Sequence, residues 1–174
     1  GFAVDSDALE IVRKEFTQEK MDIEKFLQKE VKDFMGDTPI NLNSPEQLSW
    51  LIYSRKPINK QEWPIVFSPY MGDTEYKRSI REHSTVLYKT NAVQCKSCYG
   101  SGKIRKIKKD GSPFAKESRC LSCNAQGYLF IPTKEIAGMK FTAPTSKWIS
   151  AHGWSTSKSN LAFLSSVAKQ KGMD

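Results

Sequence analysis

Apolar residues recur at three- and four-residue intervals from Leu9 through Val12, Phe16, Ile23, Phe26, Leu27, Val31 and Phe34. That spacing keeps them on one helical face and predicts a single helix over residues 6–35. Ser6 is suited to cap its start, and Gly36 to stop it by taking the left-handed backbone that ends helices. At 1.5 Å per residue such a helix is about 45 Å long, the length of an arm or of one half of an antiparallel pair. A second helix is predicted from Ser44, with Pro45 in its first turn, Gln47 completing a capping box, and Leu48, Leu51 and Ile52 on one face before Pro57. A third, capped by Ser157, covers Lys158–Lys171, with Leu161, Leu164 and Val167 on one side and Gly172 beyond.

Between these helices the pattern is mixed. A short helix capped by Asp73 is expected through His83, a strand over Thr85–Thr90, a partner strand over Tyr128–Ile131, and a helix from Ser146 ending near His152. The expected fold is mainly α, built on long antiparallel helices, with a small β, zinc-ribbon-like insertion. The expected division is 1–57 for the first helices, 58–143 for the inserted module and 144–174 for the return and final helix.

The chemistry concentrates in the insertion. Four cysteines fall as two pairs, Cys95-Lys-Ser-Cys98 and Cys120-Leu-Ser-Cys123, separated by 21 residues. A two-residue gap lets both thiolates of a pair point at one ion, and two pairs complete a tetrahedral Cys₄ site for one structural Zn²⁺. Glycines after each pair permit the positive φ that tight knuckle turns need. Two disulfides would require an oxidising compartment, and nothing in the chain indicates secretion. A dithiol redox pair needs only one such motif and a βαβ context that is missing. An iron–sulfur cluster could use the same four thiolates. With four sulfurs available, His83 is not needed as a ligand, and neither His83 nor His152 has a nucleophile or carboxylate partner in its sequence context.

Charge sharpens the picture. The 174 residues carry a net +8, but 1–57 hold 8 basic and 11 acidic side chains, while 58–143 hold 15 and 7. Within 96–119 eight basic residues face only Asp110 and Glu117. Lys103, Arg105, Lys106, Lys108 and Lys109 precede an Asp110-Gly111 hairpin turn, and such a basic arm suits contact with phosphates. The predicted helix starts add Asn41, Asn43, Ser155 and Ser157, small polar side chains beside exposed N–H groups at the positive end of a helix dipole. Hydrophobic residues make up 39% of the chain, enough for a core, and no apolar run approaches the ~20 residues of a membrane span. The Gly1 start, without Met or a basic segment, reads as the end of an excised piece rather than a signal peptide.

Two resemblances carry further implications. Cys95-x-x-Cys98-x-Gly100-x-Gly102 resembles the cysteine-rich repeat of J-domain co-chaperones over about 30 residues, with a second, less complete copy at Cys120–Gly127. Gly1-Phe-Ala-Val-Asp5, the long helix, Asn41-Leu-Asn-Ser-Pro-Glu-Gln-Leu48 and the later Ser155-Thr-Ser157 together resemble the thumb of family A, polymerase I type, DNA polymerases. Ile40 stands where that family has Phe, and the connection from the second helix to Ser155, normally short, spans nearly 90 residues. The resemblance implies a non-catalytic thumb segment of a DNA-directed DNA polymerase in a bacterial or phage-infected cytoplasm. Asn41, Asn43, Ser155 and Ser157 would grip primer–template duplex from the minor-groove side. The family's palm carboxylates have no counterpart in this chain. A bacteriophage member carries an insertion in the same connection that binds thioredoxin. The zinc module is therefore expected either to extend the DNA contact or to dock a processivity factor.

Overall fold

Helix α1 (Ser6–Met35) begins and ends where its periodicity and Gly36 place it. The computed structural model describes residues 6–68 and 70–172, so the Gly1–Asp5 part of the thumb resemblance lies outside the described residues. Only Val31 and Met35 of α1 are buried; Leu9, Val12, Phe16 (67% exposed), Ile23, Phe26 and Leu27 lie open. Its last turn packs with Ile40, Leu51 and Ala137 in a small cluster.

Helix α2 (Pro45–Tyr53) starts as its sequence requires: the Ser44 hydroxyl accepts from the Gln47 N–H at 3.4 Å. The Gln47 side chain, however, reaches past Ser44 to accept from the Asn41 N–H at 2.7 Å. Ser54 then turns left-handed (φ +59°) and leads into β1 (Arg55–Pro57). A short helix α3 (Trp63–Val66) follows, and then α4 (Asp73–His83), whose cap is Gly72 rather than Asp73. The expected Thr85–Thr90 strand is divided at Leu87. β2 (Ser84–Val86) pairs with β1, whereas β3 (Tyr88–Gln94) pairs antiparallel with the distant β6 (Tyr128–Ile136). Between β3 and β6 lie the cysteines and a minimal hairpin, β4 (Lys103–Ile104) against β5 (Ser118–Arg119).

The chain returns through a hairpin of β7 (Ile149–Ser150) and β8 (Gly153–Trp154), then enters α5 (Lys158–Gln170). The helix expected from Ser146 to His152 is reduced to one 3₁₀ turn, Ser146–Trp148, and His152 sits in the hairpin turn. Tertiary bonding overrides the local preference here: the Trp154 N–H donates to the buried Ser49 hydroxyl at 3.1 Å, and Ser155 N–H to the Trp148 carbonyl at 2.7 Å.

The main core joins segments far apart in sequence: Ile52, Tyr53, Trp63, Phe67, Tyr76, Ala143, Trp154 and Leu164. Trp63 is fully buried, its rings 4.7–4.8 Å from those of Phe67 and Trp154, and its Nε1–H donates to the Gly153 carbonyl at 2.9 Å. The expectation of a mainly α fold of long antiparallel helices is overturned. Among the described residues helix makes up 42% and strand 20%, the strands form four two-stranded antiparallel sheets, and α1 has no antiparallel partner. The reason is local: Pro57 lies in β1 beyond the end of α2, Pro64 takes the first turn of the short α3, and the β-formers of 88–94 and 128–136 satisfy their backbone groups by pairing with each other.

Candidate metal centre and basic arm

The ribbon β3–β6 ends in the cysteine knuckles. Register Gln94↔Tyr128 delivers Cys95 beside Gly127, and the Cys95 N–H donates to the Gly127 carbonyl at 2.8 Å. The second knuckle repeats the device: the Cys120 N–H donates to the Gly102 carbonyl at 2.9 Å. Cys95–Gly102 and Cys120–Gly127 thus cross-brace one another as two equivalent turns. Backbone φ is positive at Tyr99, Gly100 and Gly102 in one turn and at Asn124, Ala125 and Gly127 in the other. Ala125 occupies the place of Gly100, so the copy that looks less complete in sequence has the same conformation. Ser97 and Ser122 meet at 3.0 Å, the two hydroxyls facing each other across the pair of turns.

All four cysteines are free thiols and buried, and their Sγ atoms lie within 4.8 Å of one another. Cys95 and Cys120 are 3.8 Å apart, Cys98 and Cys123 3.6 Å. An ion bonded tetrahedrally to four sulfurs at about 2.3 Å sets its ligands about 3.8 Å apart. The cage can therefore hold one metal ion. Burial pushes the Cys123 thiol up to about 11, with Cys98, Cys120 and Cys95 adding to the shift against the Gly127 N–H. Cys120 moves down to about 7: burial opposes ionisation, but N–H groups of Cys123 and Ser122 and the thiols of Cys123 and Cys95 favour its thiolate. The thiolate is the form in which a cysteine ligates a metal ion.

From this base the arm extends. Lys103, Arg105, Lys106, Lys108 and Lys109 are all exposed. Arg105 pairs with Glu117 at 3.2 Å, and the Lys108 ammonium lies 5.8 Å from the Phe114 ring centroid. Lys103, Lys106 and Lys109 make no ion pair among the described residues. At the tip the Ser112 hydroxyl and N–H both donate to one Asp110 carboxylate oxygen, holding that carboxyl below its usual range, and Gly111 takes φ +83°.

The other candidate residues stand apart from the arm. Asn41 and Asn43 form the turn before α2, the Asn43 N–H donating to the Asn41 side-chain oxygen at 3.0 Å. Ser157 caps α5, accepting from the Asn160 N–H at 3.4 Å, and the Ser155 hydroxyl accepts from the Ser157 N–H at 3.3 Å. These groups serve their own helix starts, and the Ser157 hydroxyl also lies 3.1 Å from that of Ser159. The two helices share a core, and the Tyr53 hydroxyl donates to the Ser155 carbonyl at 3.2 Å. No hydrogen bond or ion pair among the described residues joins either helix start to the arm.

Sequence reasoning passed over Tyr99, 82% exposed in a left-handed conformation, and Phe114 on the arm. Aligning the two knuckles would have drawn attention to Tyr99, which stands opposite Asn124 where a small or amide residue fits best. No helix among the described residues is long and apolar enough to cross a membrane. In comparison with known proteins, no family model matches the chain, and neither a curated protein nor a solved structure is similar to it.

Proposed function

We propose that this chain is a non-catalytic, DNA-gripping segment of a DNA-directed DNA polymerase, resembling the family A thumb in its helix-start motifs, with Zn²⁺ in the cysteine cage. The observation that carries the reading is the exposed row of five cations held out from a four-sulfur cage at the end of a β-ribbon. Zinc fits because the cage is tetrahedral in spacing, all sulfur and closed, which suits a structural rather than a catalytic ion. The ion, once bound, substitutes for the apolar core that a module this small lacks. Four thiolates and one divalent ion carry about −2, which the surrounding lysines and arginines offset.

The arm meets phosphates through long, exposed side chains, so its binding releases counterions and reads no sequence. Asn41, Asn43, Ser155 and Ser157 add hydroxyl and amide donors at two helix starts in the packed body, the elements that match the polymerase motifs. The grip is tested by titrating the zinc-loaded chain with fluorescent primer–template DNA over a range of salt concentrations. The reading expects weak, sequence-independent binding whose log–log salt slope becomes shallower by about 4 when the five arm cations are neutralised. A second reading, in which the module docks a processivity factor or other protein, is favoured by Leu121, 74% exposed beside the cage. DNA binding that survives neutralisation of the arm would favour it.

A further inference from the structure

A grip on phosphates alone leaves the arm's aromatic residues without a use. Tyr99 holds φ +51°, a left-handed backbone that a bulky side chain adopts only at a cost, whereas its counterpart Asn124 (φ +54°) is a residue that accepts it readily. The knuckle turn imposes this backbone, but the side chain itself gains little packing, since it is 82% exposed. Yet its backbone is fixed on both sides: the Tyr99 N–H donates to the Cys95 carbonyl at 2.8 Å, and the Gln94 side-chain amide donates to the Tyr99 carbonyl at 2.9 Å. The ring is thus held out on the rigid rim of the metal cage. Lys103 begins four residues further on, within about 14 Å of extended chain. Along the arm Phe114 is also exposed, its N–H donating to the Lys106 carbonyl at 2.9 Å and the Lys108 ammonium lying near its ring. Tyr99 and Phe114 therefore flank a run of exposed cations, of which Lys103, Lys106 and Lys109 make no ion pair among the described residues.

We propose that the arm binds single-stranded nucleic acid, with Tyr99 as the stacking platform for one base, Phe114 for another, and Lys103, Lys106 and Lys109 along the intervening phosphates. The proposal rests on the reading that the arm faces nucleic acid, and it names which form. In a duplex the base faces are already stacked and cannot be offered to a ring. In a single strand every base has a free face, so cations and aromatic rings together bind it without reading sequence. The unpaired template strand beyond a primer terminus is such a ligand.

The test uses the full, zinc-loaded chain and fluorescence anisotropy with a labelled oligo(dT) of about 15 nucleotides and a blunt duplex of equal length. Three variants are compared: Tyr99→Asn, Tyr99→Trp, and the arm with Lys103, Lys106 and Lys109 changed to Glu. Asn suits the left-handed backbone, so Tyr99→Asn is expected to retain its metal and fold. It is expected to lose roughly five- to a hundredfold in oligo(dT) affinity while its duplex affinity stays unchanged. Tyr99→Trp, which keeps a stacking face, is expected to bind oligo(dT) at least as tightly as the parent. If Tyr99→Asn binds oligo(dT) like the parent, the stacking proposal is overturned. The phosphate-grip reading then still stands if the Glu variant weakens duplex binding. If the parent chain binds neither ligand at low salt, both fail together.

Discussion

Gly102 and Gly127 carry a constraint that the cysteine spacing does not express. A Cβ at Gly102 would lie 2.3 Å from the Ala125 carbonyl oxygen, and one at Gly127 2.3 Å from that of Gly100, with φ positive at both. Neither neighbour is a side chain that could swing away, so each knuckle must shift to admit a methyl. Gly102→Ala is expected to lower metal affinity at least about tenfold, equivalent to 1.4 kcal/mol. Competition with a chromophoric chelator measures this. Gly111→Ala is the control, because its Cβ would meet nothing within 4 Å despite its φ of +83°. That change is expected to cost about 1 kcal/mol locally and leave the metal bound. Cys98→Ser should remove one sulfur from the cage, abolish stoichiometric metal and loosen 95–127, while far-UV circular dichroism keeps its helical signal; unchanged metal content would refute the site. Cysteine identity and spacing made the cage legible from the chain alone, because ligand chemistry is local. The equivalence of the knuckles was not legible: Ala125 sits in a glycine's place, and only the cross-bracing hydrogen bonds show that it shares the conformation.

Between elements, the end of α1 is fastened to the ribbon that carries the metal module. Gly36 bridges Thr90, where a Cβ would lie 2.4 Å from the Thr90 carbonyl oxygen. The Asp37 N–H donates to that carbonyl at 2.8 Å, the Ala92 N–H donates to the Asp37 carboxylate at 2.8 Å, and Lys32 pairs with the same carboxylate at 3.2 Å. The Ala92 N–H first, and Lys32 second, hold the Asp37 carboxyl below its ordinary value. A folded pKa below the unfolded one contributes stability above the unfolded value of about 3.9, and that stability is lost as pH falls through the folded value. Asp37→Asn is therefore expected to lower the thermal midpoint at neutral pH, and the gap from the parent should close as pH drops below about 4. A gap of constant size would show that the carboxylate's charge is not involved. Element ends were readable because caps are local chemistry: Ser44, Ser157 and Gly36 act on their own turns. The partner of β3 was readable in kind from Tyr128–Ile131, but the division at Leu87 depends on β1, thirty residues earlier, and no local pattern announces it. The apolar stripe of α1 was equally plain in the sequence, yet periodicity says only that a face is apolar, and most of this one lies open.

At the scale of the whole molecule, the packed body draws 45–83 and 139–164 together around Trp63, and the four cysteines form a separate cluster at the end of the ribbon. Trp63→Ala removes a fully buried ring and leaves the Gly153 carbonyl without its donor. It is expected to cost about 3–5 kcal/mol, or roughly 10 °C in thermal midpoint, while metal stoichiometry in the folded state stays at one. A shift of only a degree or two would mean that the core does not depend on it. The long-helix architecture expected from the motif resemblance failed at this scale, since helix-start motifs specify a few turns of chain and the strand-forming stretches at 84–94 and 128–136 decide what lies between them. In the proposed function a metal-organised basic arm grips DNA. The most direct test of that grip is primer–template binding by the same chain with zinc bound and with zinc removed by a chelator, each across a salt series. The account predicts salt-steep binding with zinc that weakens when the ion is removed, with the helical signal retained. Equal affinity with and without the ion, or binding indifferent to salt, would contradict it.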